Sequence, residues 1–446
     1  MMAQQSLYRY GAAGGSAGHM NKFLNHRIGT KDLLAAEFIL LIVVGFLSNI
    51  GVLPGATSYV FDVVNIALLF LSLRKLGAAT REVRFFNIAV IALLAFDVST
   101  AVVNFVAPQY AFWQAISFTR PFVWVYLLLI YWDRCDAVRF LNFLFHLQWA
   151  NVLFVLFEYF VLGLFQDNIG GFFGTEAGCN GPLNVYLCIV CAWGLSRYLG
   201  KKMRIAPVVA TMLASLLIAA VAELKFFFVE FAIIAIIVVL YSKPSWKTFL
   251  VLVAIAVIAS IGLRIFAQVN PQNYQILIDP KSMLDAADNT DLSSGYGISR
   301  AHSFKQINTM FFRDDTLTNL IGFGLGSASN SSIDFFSTTF FALYGYLHYY
   351  YLSSAMLFIQ TGYVGTILFL LPTVLVGLYL LFHPRKAQAF QLEGTSGFVV
   401  VLYILYVLNI IYNSTAVTYP AWLWAVPQAL GLFNVAAIRK RGAEHE

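Results

Sequence analysis

Charge is what this 446-residue chain has least of: only 11% of its residues are Asp, Glu, Lys or Arg, whereas 60% are hydrophobic. Soluble domains carry roughly 25% charged residues. A soluble fold has nowhere to hide so much apolar surface, and a bilayer removes the need to hide it. Cysteine is scarce too. The four, Cys135, Cys179, Cys188 and Cys191, show neither zinc spacing nor a disulfide framework. Cys188 and Cys191 form a C-x-x-C, but inside the apolar run LNVYLCIVCAWGL. Two small helix residues are the simpler reading there than a redox or zinc pair. No internal repeat, coiled-coil pattern or low-complexity domain is present. The net charge of +6 does not point to nucleic acid, because the basic residues sit in short clusters between apolar runs. In that setting they act as topology determinants.

What the chain does have is apolar runs, at roughly 31–49, 57–73, 86–107, 111–131, 146–165, 182–196, 205–222, 225–241, 248–266, 351–382, 396–413 and 419–438. Most are near the ~20 residues a helix needs to cross the hydrocarbon core. They predict an all-α polytopic membrane protein of about twelve transmembrane helices: nine within 20–266, a loop over 267–350, and three within 351–446. Residues 1–19, rich in Gly, Ala and Ser without an apolar core, read as an appended tag or linker ending before a second start at Met20. No cleavable signal peptide is visible, so the first run is expected to serve as the insertion signal. Lys and Arg alternate between connections. Lys22, Arg27 and Lys31 precede the first run, and Arg74, Lys75, Arg81 and Arg84 follow the second. Arg134 and Arg139, then Arg197, Lys201, Lys202 and Arg204, then Lys243 and Lys247, then Arg385 and Lys386, then Arg439, Lys440 and Arg441 continue the series. The connections between these clusters lack basic residues or are minimal turns, except the 267–350 loop, which carries Lys281, Arg300, Lys305 and Arg313. The pattern puts both termini in the cytoplasm and the 267–350 loop outside, where long loops translocate largely regardless of charge. Helical periodicity over 301–313 predicts a small helical cap on the outer face.

Few polar residues stand where chemistry is feasible. His348, in GYLHYYYL at the outer entrance to the tenth run, suits a general base, since imidazole accepts a proton near neutrality. A lone interfacial histidine is also often structural. The tyrosines around it, Tyr344, Tyr346, Tyr349, Tyr350 and Tyr351, suit stacking on sugar faces or an interfacial aromatic belt. Lys225, in VAELKFFF at an outer turn, is either functional or paired locally with Glu223. Arg300 and Arg313 lie in the large loop, where solvated charges are the plain alternative. Together these cations suit a diphosphate whose leaving-group charge they stabilise. Arg120 sits mid-run beside Pro121, whose missing N–H is expected to break or kink the helix. Arg120 points either into a polar cavity or at a structural partner. Gly322-x-Gly324-x-Gly326 lacks a preceding strand and is not read as a dinucleotide site. The acidic pair Asp314-Asp315 is too little for a metal site, so neither metal nor cofactor is expected.

Taken in order, GTEAGCN in an outer loop, AELKFFF opening the eighth run, SRAHSFKQI and GFGLGSAS in the large loop, and LHYYYLSSAMLFIQTGYVG resemble a known superfamily. It is that of the bacterial O-antigen polymerases (Wzy) and O-antigen ligases, with a GT-C-like membrane fold. The resemblance covers about 170–370 and the topology of the whole chain. It includes Gly362-x-x-Gly365 after the histidine, and Arg313 followed after ten residues by Gly324. It implies a metal-independent, inverting transfer of glycan from an undecaprenyl-diphosphate carrier to a sugar hydroxyl, on the periplasmic face of the inner membrane. His348 would be the acceptor-activating base, and Arg300 and Lys225 the diphosphate contacts with Arg313 beside them. Arg120, Tyr346 and Tyr349 would be weaker glycan contacts. Implied partners are the carrier-linked oligosaccharide, the bilayer and a chain-length-regulating co-polymerase, with no nucleic acid. Two positions depart from the ligase pattern. Lys225 stands where many ligases have Arg, which loses a planar fork, and Tyr349 stands where they tend to have Asn. Both favour a polymerase over a ligase using a lipid A–core acceptor. A secondary transporter or flippase is the alternative from another class, but the chain shows none of the repeat symmetry many transporters carry.

Overall fold

The computed structural model describes residues 29–72, 80–242, 246–279, 281–282, 297–390 and 392–443. The segment 1–19, the basic residues Lys22, Arg27, Arg74, Lys75 and Lys243, and 283–296 lie outside the described residues. Within them the chain is helical, with no strand.

The long helices are α1 (Thr30–Asn49), α2 (Val60–Ser72), α3 (Arg81–Val103), α4 (Pro108–Tyr131), α5 (Arg134–Phe160), α6 (Asn180–Leu199), α7 (Ile205–Val221), α8 (Lys225–Tyr241) and α9 (Trp246–Val269). Short α10 (Pro271–Ile278), α11 (Ser303–Ile307), α12 (Thr316–Ile321) and α13 (Thr339–Tyr344) follow. Then come α14 (Ser353–Phe382), α15 (Pro384–Ala389), α16 (Glu393–Tyr412) and α17 (Trp422–Ala443). Among the described residues nine helices are long and apolar enough to cross a membrane; α6, α7 and α8 are not among them, although each coincides with an apolar run. Local chemistry sets the starts. Thr80 and Asp133 cap α3 and α5 through their side-chain oxygens, and Pro108 opens α4, where its missing N–H costs nothing. Pro121 does not break α4, which continues through it to Tyr131, so the expected interruption is absent.

Large apolar side chains remain exposed around the bundle, among them Phe70, Ile91, Leu153 and Leu240. Such a rim is what lipid-facing helices require. The buried centre is α6, α16 and α17, whose residues are almost all enclosed. Helix contact there depends on small residues: a Cβ on Gly200 would stand 2.9 Å from the Cα of Gly394, so α6 and α16 touch backbone to backbone.

The connections sort to two ends. At one, Lys31 pairs with Asp136 at 3.9 Å, Arg134 donates to Thr395 at 3.1 Å, and Arg439 pairs with Glu82 at 3.1 Å. At the other, Asn49 donates to the Phe173 carbonyl at 2.5 Å, Ser332 to Tyr59 at 2.9 Å, and Asn273 to Glu223 at 2.7 Å. The large loop belongs to this second end, but it is not only a cap. Its segment Gly322–Gly326 enters the bundle. Phe323 N donates to the Ile359 carbonyl at 2.9 Å, Leu325 N to Thr100 at 3.2 Å and Gly326 N to the Gln360 side chain at 2.8 Å. Gly322, Gly324 and Gly326 all have positive φ, and a Cβ on any of them would meet backbone of α14, α3 or α4 within 2.8 Å. The predicted helix over 301–313 is real but short: α11 passes into a π-helical turn, Asn308–Phe312. Beside the inserted loop α14 is broken at Gly362 (φ 62°, ψ −162°) into an outer and an inner half.

Candidate functional site

The backbone brings the site together at the second end. Ile298 N donates to the Leu347 carbonyl at 3.1 Å, which sets the SRAH segment beside the LHYYY segment. Arg300 lies two residues past one partner and His348 one residue past the other. His348 takes a left-handed conformation (φ 51°, ψ 28°) between two short 3-10 turns. A non-glycine residue there costs of order 1–3 kcal/mol, and such outliers cluster at functional sites. Glu223, next to the Lys225 turn, and Arg313 have positive φ as well.

The half-buried His348 imidazole stacks on Tyr351 with centroids 5.4 Å apart and planes 4° from parallel. Its Nδ1 lies 3.3 Å from the Tyr350 hydroxyl. Burial, with Tyr351 close by, pushes the Tyr350 phenol up to about 12, so it is a neutral hydrogen-bonding group at physiological pH. If Nδ1 carries the proton and the Tyr350 oxygen accepts it, the Nε2 lone pair is left for a substrate. Tyr351 reaches the 174–180 loop: a Cβ on Gly178 would be 4.0 Å from its ring.

Arg300 and Phe226, the residue after Lys225, meet on a ring that sequence reasoning passed over. The Tyr412 ring, at the end of α16, stacks on Phe226 at 4.2 Å and 18°. It also carries the Arg300 guanidinium, with Cζ 4.9 Å from its centroid. Phe226 directly follows Lys225, the first residue of α8. Arg300 and the Lys225 turn are thus fastened to one ring. The Nε of Arg300 is buried and has no hydrogen-bond partner among the described residues. Beside Lys225, burial raises the Glu223 carboxyl, against the lowering effects of hydrogen bonds and the Lys225 charge.

A buried polar chain anchors this wall. Glu230, one turn and a half below Lys225 on α8, accepts from Asn184 at 2.6 Å, from Cys188 at 3.2 Å and from Asn409 at 2.6 Å. Asn413 donates to Asn409 at 2.6 Å, and its own carbonyl accepts from the Ser353 N–H at 2.9 Å and hydroxyl at 2.8 Å. Ser353 opens α14, directly after the histidine hairpin. Cys188 is thus a donor inside α6, as its apolar run suggested.

The other candidates lie apart from this centre or are otherwise engaged. Arg313 is exposed at the turn after Phe312. Tyr346 is exposed. Tyr349 is fully buried, with its hydroxyl donating to the Ala328 carbonyl at 2.9 Å and its phenol pushed up by burial. Arg120 is 6% exposed and held by Asp62 in two parallel bonds of 2.7 and 2.8 Å. Its guanidinium also lies 5.5 Å from the Tyr419 centroid, and neighbouring Glu37 accepts from Asn65 and Trp124. Of the two readings open for Arg120, structural pairing is the one the contacts display. Among the described residues no group of three or more His, Cys, Asp or Glu is placed to hold a metal ion. No family model matches the chain, and a search of curated proteins returned no match.

Proposed function

We propose that the chain is a polymerase of undecaprenyl-linked oligosaccharides with a GT-C-like architecture. The observation that carries this reading is the joining of three separately read motifs at one end of the bundle. The segments that carry His348 and Arg300 meet at the Ile298–Leu347 bond, and Arg300 and the Lys225 turn share Tyr412. Among the described residues nine helices are long and apolar enough to cross a membrane, and α6, α7 and α8, each on an apolar run, would bring the spans to the twelve of the proposed architecture. The short basic clusters between apolar runs fall at the opposite end, which supports reading that end as cytoplasmic and the site as periplasmic.

In the proposed reaction a hydroxyl of a carrier-linked acceptor lies at His348. Nε2 takes its proton as the oxygen attacks the anomeric carbon of the donor. The bond from that carbon to the diphosphate oxygen breaks, configuration inverts, and undecaprenyl diphosphate departs with the electron pair. Arg300 and Lys225 stabilise the charge that grows on it. A positioned base contributes roughly 10²–10⁴-fold, so His348→Ala is expected to fold and to lose chain extension.

The test mixes purified protein with undecaprenyl-diphosphate repeat units, with and without chelator, and resolves products on a gel. A ladder that survives the chelator and is absent in His348→Ala is the expected result. A ladder of normal length from well-folded His348→Ala removes the histidine from the mechanism. No ladder, but transfer once lipid A–core is supplied, makes the enzyme a ligase. No transfer from the native repeat to either acceptor favours a transporter.

A further inference from the structure

We propose that Tyr412 is the positioning residue of the anion site. Its ring carries the Arg300 guanidinium over its face, a contact that leaves the N–H groups of Arg300 for a diphosphate. The inference rests on reading Arg300 and Lys225 as diphosphate contacts.

A guanidinium can be fastened in two ways. A carboxylate consumes the in-plane donors, as Asp62 does to Arg120 at 2.7 and 2.8 Å. An aromatic face consumes none of them, because the contact is through the π-surfaces. Arg300 is held in the second way, at 4.9 Å over Tyr412, and its buried Nε has no partner among the described residues. Among the described residues Arg120 thus has its fork spent on a structural bond, whereas the Nε of Arg300 has no partner. Tyr412 also stacks on Phe226, the residue after Lys225, so the ring links Arg300 to the Lys225 turn. Two features keep the ring in place. Asn413 is locked on both sides, to Asn409 at 2.6 Å and to Ser353 at 2.8 Å. Asn409 is tied in turn to Glu230 of α8 at 2.6 Å.

The test is calorimetric titration of the purified full-length protein with inorganic diphosphate, together with the donor and acceptor KM of the transfer reaction. Tyr412→Met is expected to weaken diphosphate binding about tenfold, equivalent to about 1.4 kcal/mol. It is also expected to raise donor KM while leaving acceptor KM unchanged. Tyr412→Phe, which keeps the ring, stays within about twofold of wild type. In an Arg300→Met background Tyr412→Met has no further effect. Unchanged diphosphate affinity and donor KM in folded Tyr412→Met overturn the proposal, as does an equal loss with and without Arg300. Should Tyr412→Met not fold, Arg300→Lys serves instead. An ammonium keeps the charge but has no planar fork, so its affinity falls below that of the wild type, and wild-type affinity overturns the proposal. Diphosphate binding that depends on Tyr412, without any ladder, leaves the positioning role standing and removes the polymerase. A ladder indifferent to Tyr412→Met does the reverse. No diphosphate binding by the wild type removes the anion site and the role of Tyr412 with it.

Discussion

Arg120 and Asp62 sit 58 residues apart in two apolar runs, buried at 6% and 7% exposure, and each is the other's counter-charge. Removing one partner strands a charge in the bundle. Arg120→Met is therefore expected to lower stability by about 3–5 kcal/mol, while the double variant Arg120→Met/Asp62→Leu recovers most of the loss. Thermal unfolding in detergent measures both, and equal stability of the two single variants and wild type would discard the pairing as a structural element. Arg300 and Arg439 make a second contrast. Arg300→Ala should impair donor use far more than Arg439→Ala, since Arg439 pairs with Glu82 at the far end. Equal impairment in the transfer assay argues against a specific anion site. Asp315 offers a pH test. Its carboxylate accepts from the Thr318 N–H and hydroxyl, and these bonds hold it below its ordinary 3.8. With a depressed folded value, its capping of α12 is complete above 3.8 and is lost as pH falls through the lower folded value. The protection of the Thr318 amide, measured against its intrinsic exchange rate at each pH, should fall on that acidification, and Asp315→Ala should lower it at every pH above that. The sequence exposed His348, Arg300 and Lys225 because rare polar residues stand out in apolar text. Tyr412 was hidden for the converse reason: it is one of 23 tyrosines, and its value lies in what stands on its two faces, which no local pattern encodes. Asp62 was invisible as the partner of Arg120 because pairing between helices leaves no spacing to read.

Helix α14 shows how one element is shaped by another. A Cβ on Gly362 would strike the backbone of Leu320, and a Cβ on Gly326 would lie 2.5 Å from the carbonyl carbon of Tyr110. Both residues also have positive φ. Gly326→Ala and Gly362→Ala are each expected to cost more than about 1 kcal/mol, the strain of φ alone, with the clash added. Gly45→Ala in α1 meets nothing within 4 Å and should be neutral or mildly stabilising. Unfolding in detergent ranks the three, and indifference to Gly362→Ala would mean that the break is not needed. The glycines of GFGLG were conspicuous in the sequence. Their destination was not, because a glycine records that a backbone comes close without recording which backbone. The large loop was accordingly read as a cap, whereas part of it is packed against α3, α4 and the break in α14.

Lys31, Arg134 and Arg439 lie at one end of the bundle, and the proposed topology makes that end cytoplasmic. Cys135 tests it directly. It is exposed at the basic end, while Cys179, Cys188 and Cys191 are buried. A membrane-impermeant maleimide should label Cys135 in inside-out vesicles and spare it in spheroplasts; labelling from outside would invert the proposed topology. The twelve apolar runs were legible because burial in lipid imposes a length. What sets α6, α7 and α8 apart was less so: α7 and α8 are only 17 residues long, and the polar residues of α6 and α8 are supplemented by partners far along the chain.

That supplementation has a consequence for synthesis. Glu230 on α8 finds Asn184 46 residues earlier, already made, but finds Asn409 only 179 residues later. An isolated carboxylate is a poor passenger for lateral release from a translocon into lipid. Helix α8 must therefore wait, shielded by α6 or by the insertion machinery, until α16 emerges and docks. A nascent chain stopped before residue 393 should leave α8 accessible to crosslinking with that machinery, and lengthening the chain past Asn409 should release it.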